Sequence, residues 1–190
     1  MDHHATSPLP FRAHPLVFGV VLFLASELMF FAGLFAAYFD LRSLATVWPP
    51  AGVRLDVVQS SAGTLLLAVS SASMFGMNAA LDRQRFALAR VWLGSAMACG
   101  IVFLGIALHG WSQNTFTIAS NAYGSLFYAM TGFHALHVAV GIALLGALFA
   151  GMRTPAFTAD RRAGAEAVSY YWHFVFIVWL GIWGTIYLIR

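Results

Sequence analysis

The sequence predicts an all-α membrane protein, a bundle of five transmembrane helices with the N-terminus cytoplasmic and the C-terminus outside. Three observations predict it. Of 190 residues, 61% are hydrophobic and only 9% charged, whereas a soluble domain carries about a quarter charged residues. So few charges cannot clothe a globular surface in water. Charge-free runs recur along the chain, each near the roughly 20 residues a helix needs to cross a ~30 Å hydrocarbon core. Strand-period alternation is missing and the runs are too long for strands, which excludes a β-barrel.

The elements follow in order. Residues 1–14, "MDHHATSPLPFRAH", are polar and rich in proline. They lack a basic signal-peptide start and read as a short cytoplasmic tail before an uncleaved helix. Residues 15–190 form the transmembrane domain. Its first span, about 15–39, is uncharged except for Glu27, and its second, about 57–81, has no charge at all. Between Arg90 and Arg153 no Asp, Glu, Lys or Arg occurs, too long a stretch for one crossing. The polar "SQNTFTIASN" at 112–121 divides it into spans of about 91–111 and 122–152. The fifth span is about 167–189. "SSAGTLLLAVSSAS" in the second and "GIALLGALFAG" in the fourth supply small residues for close helix packing. Gly141 and Gly146 do not form a GxxxG pair.

All ten basic residues are arginines. With the tail inside, Arg12, Arg83, Arg85, Arg90, Arg153, Arg161 and Arg162 lie on the inner face, and Arg42, Arg54 and Arg190 on the outer. That seven-to-three bias sets the orientation. No basic stripe is long enough to follow phosphates, so no nucleic acid is expected. The single cysteine, Cys99, rules out an internal disulfide framework.

Within the spans the candidates for chemistry are Glu27, His109, His134, His137 and His173. A charge at mid-bilayer costs at least ~2.5–3.5 kcal/mol, so an intramembrane acid calls for an explanation. Glu27 lies near mid-depth. His134 and His137, in "TGFHALHV", stand at i and i+3 on one face of the fourth helix, and His137 falls close to Glu27 in depth. A buried Glu27–His137 hydrogen bond would let both be tolerated; alternatively, each bonds a backbone carbonyl, Ser or Thr nearby. His109 and His173 are each displaced from the nearer of His134 and His137 by roughly 12 Å along the helix axes, at ~1.5 Å per residue. That argues against a bis-histidine haem, and HxxH without a third ligand is a weak metal signal. No metal, catalytic residue or redox centre is expected in this chain. A transporter would need discontinuous helices and a midplane site, yet the runs read as continuous, with no inverted repeat. Trp48, Trp111, Tyr171 and Trp172, near helix ends, are candidates for lipid or interface contacts.

"SELMFFAGLFAAYF", "WPPAG", "NAYGSLFYAMTGFHALHVAVG" and "SYYWHFVFIVWLGIWGTIYLIR", in that order and spacing, resemble subunit III of haem–copper cytochrome c oxidase, in its five-helix, actinobacterial-like form. The similarity runs from about Val17 to Arg190, and "GFHALHV" followed by "YYWHFV" is its most specific part. The resemblance implies a supporting subunit of an oxygen-reducing, proton-translocating complex in a bacterial plasma membrane. Haem A and copper then belong to subunits I and II. Subunit III would pack chiefly against subunit I, meet subunit II and a small subunit, bind phospholipid, and sustain proton uptake and turnover. A cytochrome bc complex is a candidate neighbour in a supercomplex. By the same resemblance Glu27 matches a carbodiimide-reactive carboxyl, a buried, protonated acid with His134, His137 and His173 as candidate polar partners. The chain departs from the family at Phe176, where an acid usually follows "WHFV", and at "IALHGW", where helix three often ends with an acid. A quinol oxidase subunit III and a nitric oxide reductase accessory protein share the five-helix plan; the "WPP" loop and "YYWHFV" ending favour cytochrome c oxidase.

Overall fold

The computed structural model describes residues 14–152 and 159–189. The tail as far as Arg12, together with Arg153 and Arg190, lies outside the described residues. Five helices follow: α1 Pro15–Leu44, α2 Val57–Asp82, α3 Phe86–Gln113, α4 Ala122–Gly151 and α5 Ala159–Trp183. A π-helical turn, Gly184–Leu188, continues α5. All five are long and apolar enough to cross a membrane. They overrun the charge-free runs that mark them in the sequence. α3 starts at Phe86 and takes in Arg90, and α1 continues through Asp40 and Arg42. Charge limits the hydrocarbon-embedded stretch, whereas backbone hydrogen bonding carries the helix on into the polar zone.

Local chemistry sets the ends. Pro15 begins α1, where its missing N–H costs nothing. Asp56 caps α2 by accepting from Gln59 N at 2.9 Å, and Asn121 caps α4 by accepting from Gly124 N at 2.8 Å. The α2–α3 turn closes with Gln84 at φ 58°. Gln84 N donates to Leu81 O and Arg85 N to Ala80 O, a Schellman closure built without glycine.

α5 is the hub, packing on α1, α2 and α4, while α2 and α3 form the most extensive pair. The α2–α5 contact is a polar ladder between antiparallel helices. Trp179 Nε1 donates to Thr64 Oγ1 at 2.9 Å, Trp172 Nε1 to Ser70 Oγ at 2.9 Å, and Asn78 Nδ2 to Ser169 Oγ at 3.0 Å. His173 Nδ1 meets Ser71 Oγ at 2.6 Å. Ser70 Oγ in turn donates to Ala96 O of α3 at 2.7 Å, which ties three helices together. The small residues of "SSAGTLLLAVSSAS" therefore supply hydrogen bonds as well as close approach.

This ladder corrects the expectation for Trp172, and the length of α5 corrects the placement of Tyr171 at a helix end. Trp172 is not a lipid-facing aromatic: it is 1% exposed, its ring wedged against Gly100 of α3 and Gly141 of α4. Tyr171, also buried, donates from its hydroxyl to His137 O at 2.9 Å. Both lie well inside α5, which begins at Ala159 rather than near 167, so neither sits at a helix end. Trp48 and Trp111 are half-buried among aromatic rings, Trp48 against Tyr38 and Tyr123, Trp111 against Tyr128. At this same end Tyr38 Oη reaches Thr185 O at 3.4 Å, and Arg42 donates to Ile189 O.

Candidate functional site

The seam between α1 and α4 is aromatic around one polar pair. Phe30 meets Phe133 edge-on, with centroids 4.9 Å apart, and Phe31 lies edge-on to the His137 ring at 5.3 Å. On the same seam Glu27 Oε2 stands 3.0 Å from His137 Nε2. The other nitrogen, His137 Nδ1, is 2.7 Å from Phe133 O. A carbonyl only accepts, so Nδ1 carries a proton and donates it. Nε2 and Oε2 then share one further proton: either the acid donates to a neutral ring or an imidazolium donates to a carboxylate. In both forms the pair is net neutral, and this is how an acid rests in this seam at low cost. The side chains keep 22% (Glu27) and 13% (His137) of their surface exposed. Glu27 is thus half-buried rather than buried, because among the described helices α1 packs chiefly on α4 and α5 and leaves much of its surface exposed.

Beside the pair runs an apolar groove of about 440 Å³, walled by Leu16, Val20 and Phe23 of α1, by Leu136, His137, Val140 and Leu144 of α4, and by Gly164, Ala167, Val168 and Tyr171 of α5. His137 is its one imidazole. The groove's lining is almost wholly apolar.

His134 is not a partner of Glu27. Three residues along a helix turn the side chain through about 300°, that is 60° short of a full turn. That offset sends His137 to α1 and His134 inward. The His134 ring, 1% exposed, stacks on Trp179 at 5.0 Å and lies edge-on to Phe103 at 5.8 Å. His173 goes elsewhere again, bonded to Ser71 and stacked on Phe75 at 4.2 Å. His109 is exposed near the end of α3. Each imidazole thus faces different neighbours, and among the described residues no three of His, Cys, Asp and Glu converge. Phe176, where the family pattern has an acid, packs half-buried against the apolar core.

Residues 8–189 match the family described as cytochrome c oxidase subunit III. The chain belongs to that family. It is similar to the cytochrome c oxidase subunit 3 of Thermostichus vulcanus, 34% identical over 91% of this chain and 87% of that protein. To the Corynebacterium diphtheriae protein of the same name it is 37% identical, over 94% of this chain and 90% of the relative. A Nocardia farcinica relative bearing the same subunit name is 39% identical across the same shares. With five such helices, the chain is a multi-pass membrane subunit III.

Sequence reasoning named the Glu27–His137 bond, which the structure contains, and a backbone carbonyl or serine as the other kind of partner, without saying which. Phe133 O, which fixes the His137 tautomer, is a backbone atom that no motif marks. The Ser71–His173 bond had a visible signal in the serine spacing of α2, which reads equally well as small-residue packing.

Proposed function

We propose that the chain is the non-catalytic core subunit III of a proton-pumping cytochrome c oxidase in a bacterial plasma membrane, with its N-terminus cytoplasmic and its C-terminus outside. It packs against subunit I, meets subunit II and a small subunit, and holds phospholipid in the groove beside Glu27. In this reading haem A and copper reside in subunits I and II. The subunit steadies proton uptake and prolongs turnover.

One observation carries the reading: the Glu27–His137 pair is net neutral, internally bonded, and adjoins an apolar groove. Such a pair organises a seam and its lipid; it leaves no reactive group aimed at a substrate. The exposed apolar face of α1, including Phe18, Leu22 and Met29, offers surface for lipid and a partner subunit.

Co-purification tests it. A tag on this chain should bring down subunits I and II with haem A absorbance, and His137→Ala should leave haem and copper per complex unchanged. Recovery of a lone chain from membranes with an intact oxidase, or loss of one stoichiometric haem in His137→Ala, overturns the proposal.

A further inference from the structure

Among the described residues, His134 is the side chain with both polar atoms buried and unpartnered. Its ring is 1% exposed, and neither Nδ1 nor Nε2 has a hydrogen-bond partner among the described residues. A neutral imidazole carries one N–H and one lone pair, and leaving such groups buried without partners is costly. The neighbouring polar side chains are committed elsewhere. Thr131 Oγ1 donates to Phe127 O at 2.6 Å, Gln59 Nε2 to Ile106 O at 3.2 Å, and Asn114 Nδ2 to Tyr128 Oη at 3.3 Å.

The ring lines a cavity of about 100 Å³. One water needs only about 10–15 Å³ of such space, so several fit. The rim is formed by Arg54 and Asp56 ahead of α2 and by Gln113 at the end of α3, all exposed. Gln59, Thr131 and His134 also line it, among apolar side chains that include Phe103, Ile106 and Phe127. His134 lies twelve residues into α4, or about 18 Å below its start at 1.5 Å per residue. The lining therefore runs from one membrane face to an unpartnered imidazole near mid-depth, on the inward side of α4 and away from the Glu27 groove.

We propose that this cavity is a water-binding inlet, open to the face where α2 begins, and that its waters are the hydrogen-bond partners of His134. The inlet gives that imidazole protonic contact with a single side of the membrane. Its ligand class is water, with no requirement for an ion or an organic molecule.

Two measurements on the intact assembly purified with this chain test the inlet. A map resolving ordered water should show water within hydrogen-bonding distance of at least one His134 ring nitrogen. In a Cys99→Ala background, Thr131→Cys and His134→Cys should each react with silver ion added at the α2-start face of sealed vesicles, and not from the opposite face. A side chain added at Gly110 would point towards Gln59 with room to spare, its Cβ 3.9 Å from Nε2. Gly110→Leu should therefore plug the cavity and slow both reactions by an order of magnitude. Thr131→Cys keeps the test open if His134→Cys fails to fold. A dry cavity, an acyl chain filling it, a protein group bonded to His134, or reaction from the opposite face overturns the proposal.

Discussion

At Glu27 one proton decides what the residue costs. His137 Nδ1 is held by Phe133 O, so the 3.0 Å contact to Nε2 needs a proton between ring and acid. Glu27→Gln preserves that geometry, because the amide donates to Nε2 in place of the acid. Assembly and initial oxygen consumption should stay within a few-fold of the parent, on the order of 1 kcal/mol or less in barrier. Glu27→Ala leaves Nε2 without its partner and removes the side chain that fills its place in the seam, a loss of about 1–3 kcal/mol. That variant should lose activity faster in a long turnover time course, or shed this chain more readily in detergent. Immediate, total loss of activity in Glu27→Gln with every subunit still bound would show that the acid serves the reaction itself.

On the scale of an element, α5 does most to organise the bundle, and Trp172 is its anchor. The ring fits only because Gly100 and Gly141 lack side chains. A Cβ at Gly141 would stand 2.5 Å from Trp172 Cζ3, and one at Gly100 2.8 Å from Cη2. In a membrane such packing replaces the hydrophobic drive that water provides elsewhere. Gly141→Ala should cost about 1–3 kcal/mol by overpacking and lower the thermal midpoint of the detergent-solubilised complex. Gly146, with nothing within 4 Å of its added Cβ, is the control, and Gly146→Ala should leave the midpoint unchanged. Equal effects at the two sites would mean that Trp172 has room to move.

For the whole molecule the open question is direction. Five crossings put the termini on opposite faces, and the seven-to-three arginine bias points the C-terminus outward. The side chains of four of those arginines, Arg12, Arg153, Arg161 and Arg190, lie outside the described residues. Arg162 makes an ion pair with Asp82 that ties the α2 end to the α5 start. It is an exposed pair and contributes little to stability. A reporter fused after Arg190 should be active only on the outer face. Activity confined to the cytoplasm would reverse the topology and place the His134 inlet on the inner side.

Membership of the family was legible in "GFHALHV" and "YYWHFV", and the five helices in the charge-free runs. Both are local properties, since hydropathy and motif spacing need no knowledge of neighbours. The depth match of Glu27 and His137 was legible too, because helical rise converts residue number to height. Rotation was not. His134 and His137 share a helix and nearly a face, yet a 60° offset gives one to α1 and turns the other into a cavity among four helices. Trp172 looked like an interface aromatic by its place near a helix end, and became core because Gly100, Gly141 and Ser70 meet it from three other helices. Sequence alone determined which segments cross, in what order, and at what height each polar group rides. Which neighbour each group faces was decided by tertiary packing, because a helix fixes side-chain angles only about its own axis and the surrounding helices determine what lies in each direction.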